Sequence, residues 1–431
     1  MRLTTGIRAL GALVVTAALL AATACTDDSG EAASQDEQVQ INVYWWGGET
    51  RAELTEKALK LYTERNPTVT FKLNWRGNQG YYDNLATQAA GPDAPDLFQI
   101  DDNYLTEYAE RNVTLDLNPY IASGQLDISK LPPSLAQYGQ VGGRTAGVAA
   151  AENTPAMVYN RTLIKRLNVS EPTIGMSYEQ LFTWATQITN LTNSEVAGTM
   201  DPSADYKALW LWLRAQGKEL YNGRQLGFTA ADLTKWYQMW KTARDNGIAP
   251  SIETIQEANS GDVSKQAVAT GRAATSFMWS NQLPELQRNT KDELALVSYP
   301  GDPKAQWARA SLYWSAFRGT RHADTVVDVI NFLVNDPDAG KILGTERGLS
   351  PNTDVRKAVA QSATDQISKA TINFENTITP KFGAAPVPPP KGHPKVRSLL
   401  VTAAESVQAG EATPQDAAES LVREANAALA S

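Results

Sequence analysis

A chain of 431 residues with 42% hydrophobic and 20% charged side chains is that of a folded globular protein, too long for one ordinary core and too polar for a membrane bundle. Its net charge of −8 lacks the basic footprint that phosphate backbones demand, which excludes nucleic acid as an expected partner. The single cysteine, Cys25, excludes an internal disulfide.

In chain order, Arg2 and Arg8 precede an uncharged apolar run over residues 9–24, which reads as a signal peptide covering residues 1–24. The run closes on Ala22-Thr23-Ala24-Cys25. Two readings stand there: ordinary cleavage after an A-x-A site, or lipidation of Cys25. The segment resembles the lipobox of bacterial lipoproteins, although Ala22 sits where leucine is usual. Residues 25–38, rich in Asp, Glu, Ser and Gln, have the composition of a flexible tether, which belongs between an anchor and a folded body. The expected location is therefore the extracellular face of the cell membrane, lipid-anchored.

The folded part is expected from Val39. Ile41, Val43 and Trp45 alternate as a strand, Gly47-Gly48 breaks it, and Leu54, Ala58, Leu61 and Tyr62 repeat at helical spacing until Asn66-Pro67. A second strand follows over Val69–Trp75 and a short buried one over 95–100. Strand, helix, strand implies a parallel sheet, with loops at the carboxyl ends of its strands where open α/β sheets bind ligands. Further along, Trp236 and Trp240 share one helical face and read as core. Extended segments are expected at 145–159, 273–278, 294–299 and 307–317, and Pro386-Val387-Pro388-Pro389-Pro390 excludes regular structure before two closing helices, the last capped by Thr413 with Pro414 at its first position.

The runs Ile41–Gly48, Tyr82–Leu85, Ala94–Leu97, Leu105–Ile121, Asn153–Asn160, Gly271–Ala274, Phe277–Trp279 and Arg347–Pro351 together resemble the family 1 extracellular solute-binding proteins, the sugar-binding components of ATP-binding-cassette (ABC) importers of the maltodextrin-binding type. No single run is specific; the ordered set is, and it spans nearly all of the mature chain. The resemblance implies an α/β, two-lobed periplasmic-binding-protein-like fold (type II), each lobe a mixed sheet flanked by helices, with extended hinge crossings. Lobe I is expected over 39–149 plus 312–350 and lobe II over 150–311 plus 351–431. It also implies a monomer without cofactor or catalysis, a carbohydrate ligand in the cleft, and permease subunits in the membrane as partners.

A pyranose presents an apolar C–H face and a rim of hydroxyls, so it calls for flat aromatic platforms and planar hydrogen-bonding groups. Trp46 and Trp279, with Trp314 and Tyr104 next, are the expected platforms, because they fall at strand ends or loops. Asp101, Asp102, Glu49, Asn153 and Arg347 are the expected hydroxyl partners. Structural roles compete: Asp102 can cap a helix, Arg347-Gly348 can end one, and Glu49 can serve as a first-turn acid. A secreted glycoside hydrolase, or a binding protein for an amino acid or polyamine, are the rival readings. Adjacent Asp101 and Asp102 make a poor hydrolytic pair, and His322 and His393 read as solvated.

Overall fold

The computed structural model describes residues 38–430; the expected signal peptide, the Cys25 anchor and the tether before Gln38 lie outside the described residues. Strand β1 (Val39–Trp46) alternates as expected, with Ile41, Val43 and Trp45 buried. Helix α1 (Glu49–Arg65) starts after the glycine pair and stops at Asn66, whose successor Pro67 opposes helical continuation. Strands β2 (Val69–Arg76) and β3 (Leu97–Ile100) pair with β1 in parallel, one on each side. Helix α2 (Asp102–Glu110) follows β3 immediately, and its N-cap is Asp101, whose side chain accepts from the Asn103 N–H.

The chain then enters β4 (Val148–Asn153) and β5 (Pro155–Asn160), continues through a helical region that includes α3 (Ala230–Asp245), and returns in β6 (Thr275–Trp279), β7 (Leu294–Ser298) and β8 (Arg309–Ala316). Helices α4 (Ala323–Asn335), α5 (Gln366–Ile378), α6 (His393–Gln408) and α7 (Pro414–Ala430) complete it. Thr413 caps α7 by accepting from the Asp416 N–H at 3.1 Å and donating to its carboxylate at 2.7 Å.

Two sheets result. The first is five-stranded in the order β2-β1-β3-β8-β4, with β8 antiparallel to both neighbours; the second is three-stranded and antiparallel in the order β6-β5-β7. Each has its own hydrophobic core. Trp45, Phe98, Tyr313 and Ile330 belong to the first, and Met157, Trp236, Trp240 and Leu421 to the second. Trp236 and Trp240, one turn apart on α3, meet edge to face at 5.8 Å as core residues.

Few backbone segments join these halves. Thr154 alone separates β4 from β5, and residues 299–308 separate β7 from β8, so the first sheet holds β4 and β8 a few residues past the boundaries drawn from sequence. A third strand of chain passes at Leu349, which exchanges backbone hydrogen bonds of 2.7 and 2.9 Å with Glu152. Packed cores on either side of thin crossings leave a groove between the two halves. No helix among the described residues is long and apolar enough to cross a membrane.

Candidate ligand-binding cleft

The groove between the two sheets is a cleft of about 770 Å³, within the range of small-molecule sites. Trp46 enters it from the carboxyl end of β1 and Trp279 from the end of β6, one from each half, and both are half-buried. The two tryptophans owe this to strand ends: β1 buries Trp45 in the core (1% exposed) and therefore turns Trp46 to the other face. Trp279 is fixed by its own backbone N–H, which donates to Gln282 Oε1 at 3.0 Å. Glu49, Asp101, Asn153 and Arg347 also line the cleft, so six of the nine ligand contacts expected from sequence converge on one surface.

The other three do not. Asp102 is sealed inside (1% exposed), where Arg309 Nε and Nη2 both donate to its carboxylate and Tyr138 Oη donates at 3.1 Å; the cap is Asp101, one residue earlier. Trp314 is equally buried, because β8 lies between two neighbours with both faces covered. Its ring carries the Arg347 guanidinium at 5.2 Å and supports an arginine of the cleft instead of a sugar. Tyr104 stacks on Tyr82 at 3.6 Å in an adjoining pocket, which shares Asp101 and Arg397 with the main cleft. Arg347 does not end a helix either, since the preceding helix stops at Leu343 and Gly344 follows it. Glu49 is indeed the first-turn acid of α1 while facing the cleft.

Several contributors were not foreseen. Gln99, fully buried in the otherwise apolar β3, ties two cleft residues together: its Nε2 donates to the Trp46 carbonyl at 3.0 Å and its Oε1 accepts from Arg347 Nε at 3.1 Å. Its signal was visible, an amide in a strand of Leu, Phe and Ile. Arg51 spans 4.8 Å over Trp46 and donates to the same carbonyl. Arg309 and Lys207 lie 4.5 and 4.9 Å from the Trp279 ring centre, and Arg397 lies 4.8 Å from that of Tyr206. These cations come from helices and a strand far apart in sequence.

His393 corrects the expectation of a solvated side chain. It is fully buried where the proline-rich segment delivers α6 against α2, with Nδ1 bonded to Tyr221 Oη and Nε2 at 2.9 Å from Asn103 Oδ1. Burial, then Arg397 and Arg309, hold its pKa well below the usual histidine value, so the ring stays neutral.

Three polar atoms of the lining are buried and have no partner among the described residues: Trp46 Nε1, Asn153 Oδ1 and Asn281 Oδ1. Such groups cost about 1–3 kcal/mol each unless something satisfies them. The backbone beside Asn153 is set by Gly348, at φ +123°, a conformation that L side chains rarely adopt; a β-carbon there would strike Asn153 Oδ1 and the Glu152 carbonyl. The arrangement provides two indole plates on opposing walls, unsatisfied donors and acceptors, and charged groups. It is suited to binding.

The model of the bacterial extracellular solute-binding proteins matches residues 57–375. The chain belongs to that family. Among solved structures, this member is similar to an extracellular solute-binding protein family 1 of Alicyclobacillus acidocaldarius, at 25% identity over 92% of this chain and 99% of that one with a TM-score of 0.73. It is also similar to an ABC substrate-binding protein of Listeria monocytogenes in complex with cycloalternan (19% identity, 91% and 99% coverage, TM-score 0.77) and to a periplasmic oligogalacturonide-binding protein of Yersinia enterocolitica (20% identity, 91% and 99% coverage, TM-score 0.72). These neighbours share the two-lobed α/β fold expected for the solute-binding family. The family binds substrates and is not a catalytic one.

Proposed function

We propose that the chain is a saccharide-binding lipoprotein, anchored through Cys25 outside the cell membrane as a monomer, which closes its cleft on a di- or oligosaccharide and presents it to an ABC permease. The observation that carries this reading is the cleft itself: Trp46 and Trp279 on opposite lobes, with unpartnered Trp46 Nε1, Asn153 Oδ1 and Asn281 Oδ1 beside them. Indole faces match the C–H face of a sugar ring, and the open donor and acceptors match its hydroxyls. Ligand drives closure only if it binds the closed form more tightly, and contacts from both lobes provide that difference. The saccharides bound by the Listeria and Yersinia neighbours are in keeping with this, though low identity gives the fold and leaves the ligand to the cleft. Asp102, held by Arg309, is not available as the second carboxyl of a hydrolase.

Calorimetric and tryptophan-fluorescence titration against a saccharide panel is expected to give saturable binding. Trp279→Ala should weaken it by about 1–3 kcal/mol with the fold intact, the scale of losing one large apolar contact. Heat from amino acids or polyamines with none from any saccharide would reverse the assignment. Unfolding of the Trp279→Ala variant would make that residue part of the core.

A further inference from the structure

The exposed rim of the cleft carries both signs, Glu49, Asp262 and Glu285 with Arg288, whereas the buried charged side chains of its lining are all arginines: Arg51, Arg309 and Arg347. Two of these have acids. Arg51 Nε meets Glu346 Oε2 at 2.7 Å, and Arg309 lies on Asp102. Arg347 has no acid in ion-pair range among the described residues; its Nε and Nη2 donate to neutral acceptors, Gln99 Oε1 at 3.1 Å and Thr55 Oγ1 at 2.8 Å. It is 5% exposed, and the wall formed by Arg51, Glu346 and Arg347 holds two guanidinium groups against one carboxylate. Burial, then the neighbouring Arg51, push the Arg347 pKa down to about 9 against the opposing pull of Glu346, which leaves it charged at neutral pH.

A buried cation without a counter-ion loses hydration and gains no pairing energy in return. An anion brought by the ligand would supply that pairing in a medium where charges interact more strongly than in water. A second cation points the same way: Arg397, half-buried over Tyr206, also has no acid in ion-pair range among the described residues.

We propose that the saccharide is anionic, its carboxylate or sulfate seated against Arg347 and Arg51 on the wall of lobe I. This deepens the saccharide assignment and rests on it. The Arg347 guanidinium, 5.2 Å from the centre of the Trp314 ring, has further N–H groups beyond those given to Gln99 and Thr55 to offer a planar carboxylate or a sulfate oxygen, and charge-assisted bonds of that kind exceed neutral ones. An uncharged sugar would leave the cation unmatched, so selectivity comes from what the wrong ligand fails to satisfy.

The test is calorimetry of the purified protein with digalacturonate, with digalactose of the same linkage, and with a sulfated digalactose, at low and high salt. At least one charged disaccharide should bind about ten-fold or more tighter than the uncharged one, with the preference shrinking at high salt. The two charged arms distinguish carboxylate from sulfate. Arg347→Met, which keeps an apolar side chain over Trp314, should erase the preference, and Arg347→Lys should retain part of it, which guards against a variant that merely misfolds. If digalactose binds as tightly as both charged sugars, or the preference survives Arg347→Met, the proposal is overturned while the saccharide assignment stands. If no saccharide binds and an amino acid does, both fall.

Discussion

Arg309→Met is expected to destabilise the protein by about 3–5 kcal/mol, because it leaves the Asp102 carboxylate buried with no cation beside it. Arg309 donates twice to that carboxylate, and the two side chains are 7% and 1% exposed. The pair joins the start of α2 to the start of β8, elements 207 residues apart in sequence, at the floor of the cleft. Removing one partner is worse than removing both charges: the double variant Asp102→Asn with Arg309→Met keeps an acceptor for Tyr138 and should recover a large part of the loss. Urea unfolding of wild type, single and double variants measures this. A single variant within about 1 kcal/mol of wild type would mean that the pair does not hold the floor together.

Glu375→Gln is expected to stabilise the protein at pH 8, on the order of 4 kcal/mol, and to flatten its stability between pH 5 and 8. Glu375 on α5 is fully buried beneath the crossing. Its Oε1 accepts from the Thr154 N–H at 3.2 Å, from Thr154 Oγ1 at 3.0 Å and from Ser280 Oγ, while Oε2 has no partner. The adjacent Glu152 is the one that pairs with a cation, Arg356. Burial, followed by the charge of Glu152, raises the Glu375 pKa from 4.5 to about 8. The folded state therefore keeps a proton that the unfolded chain releases, and stability falls as pH rises from the unfolded value of 4.5 toward 8. Glutamine cannot release that proton, so melting temperatures of the variant at pH 5 and pH 8 should converge. Parallel slopes for the two proteins would contradict a protonated Glu375.

The parts of the fold legible in sequence were those with a local period. β1, α1 and β2 could be placed because alternation, the glycine pair and Asn66-Pro67 act within a few residues of one another. Trp46 could be separated from Trp45 for the same reason. Trp314 could not be read correctly, since β8 is covered on both faces and its sequence gives no alternation from which to choose one. The cap falls on Asp101 and not on Asp102 because a helix boundary shifted by one residue changes which of them is the cap.

The cations of the cleft other than Arg347 were missed for a different reason. Arg51, Lys207 and Arg397 sit in helices where local pattern reads a basic residue as solvated, and only tertiary packing brings them over Trp46, Trp279 and Tyr206. His393 likewise has partners about 170 and 290 positions away, Tyr221 and Asn103, which no local spacing could supply.

Hydrogen–deuterium exchange with and without a saturating saccharide tests the central claim most directly, because it reports which backbone segments the ligand orders. Binding between the lobes requires slowed exchange in both halves at once, at residues 46–51 and 345–349 of lobe I and at 279–288 of lobe II. Protection confined to one half, or appearing only around the separate surface pocket at Arg214 and Lys218, would contradict it.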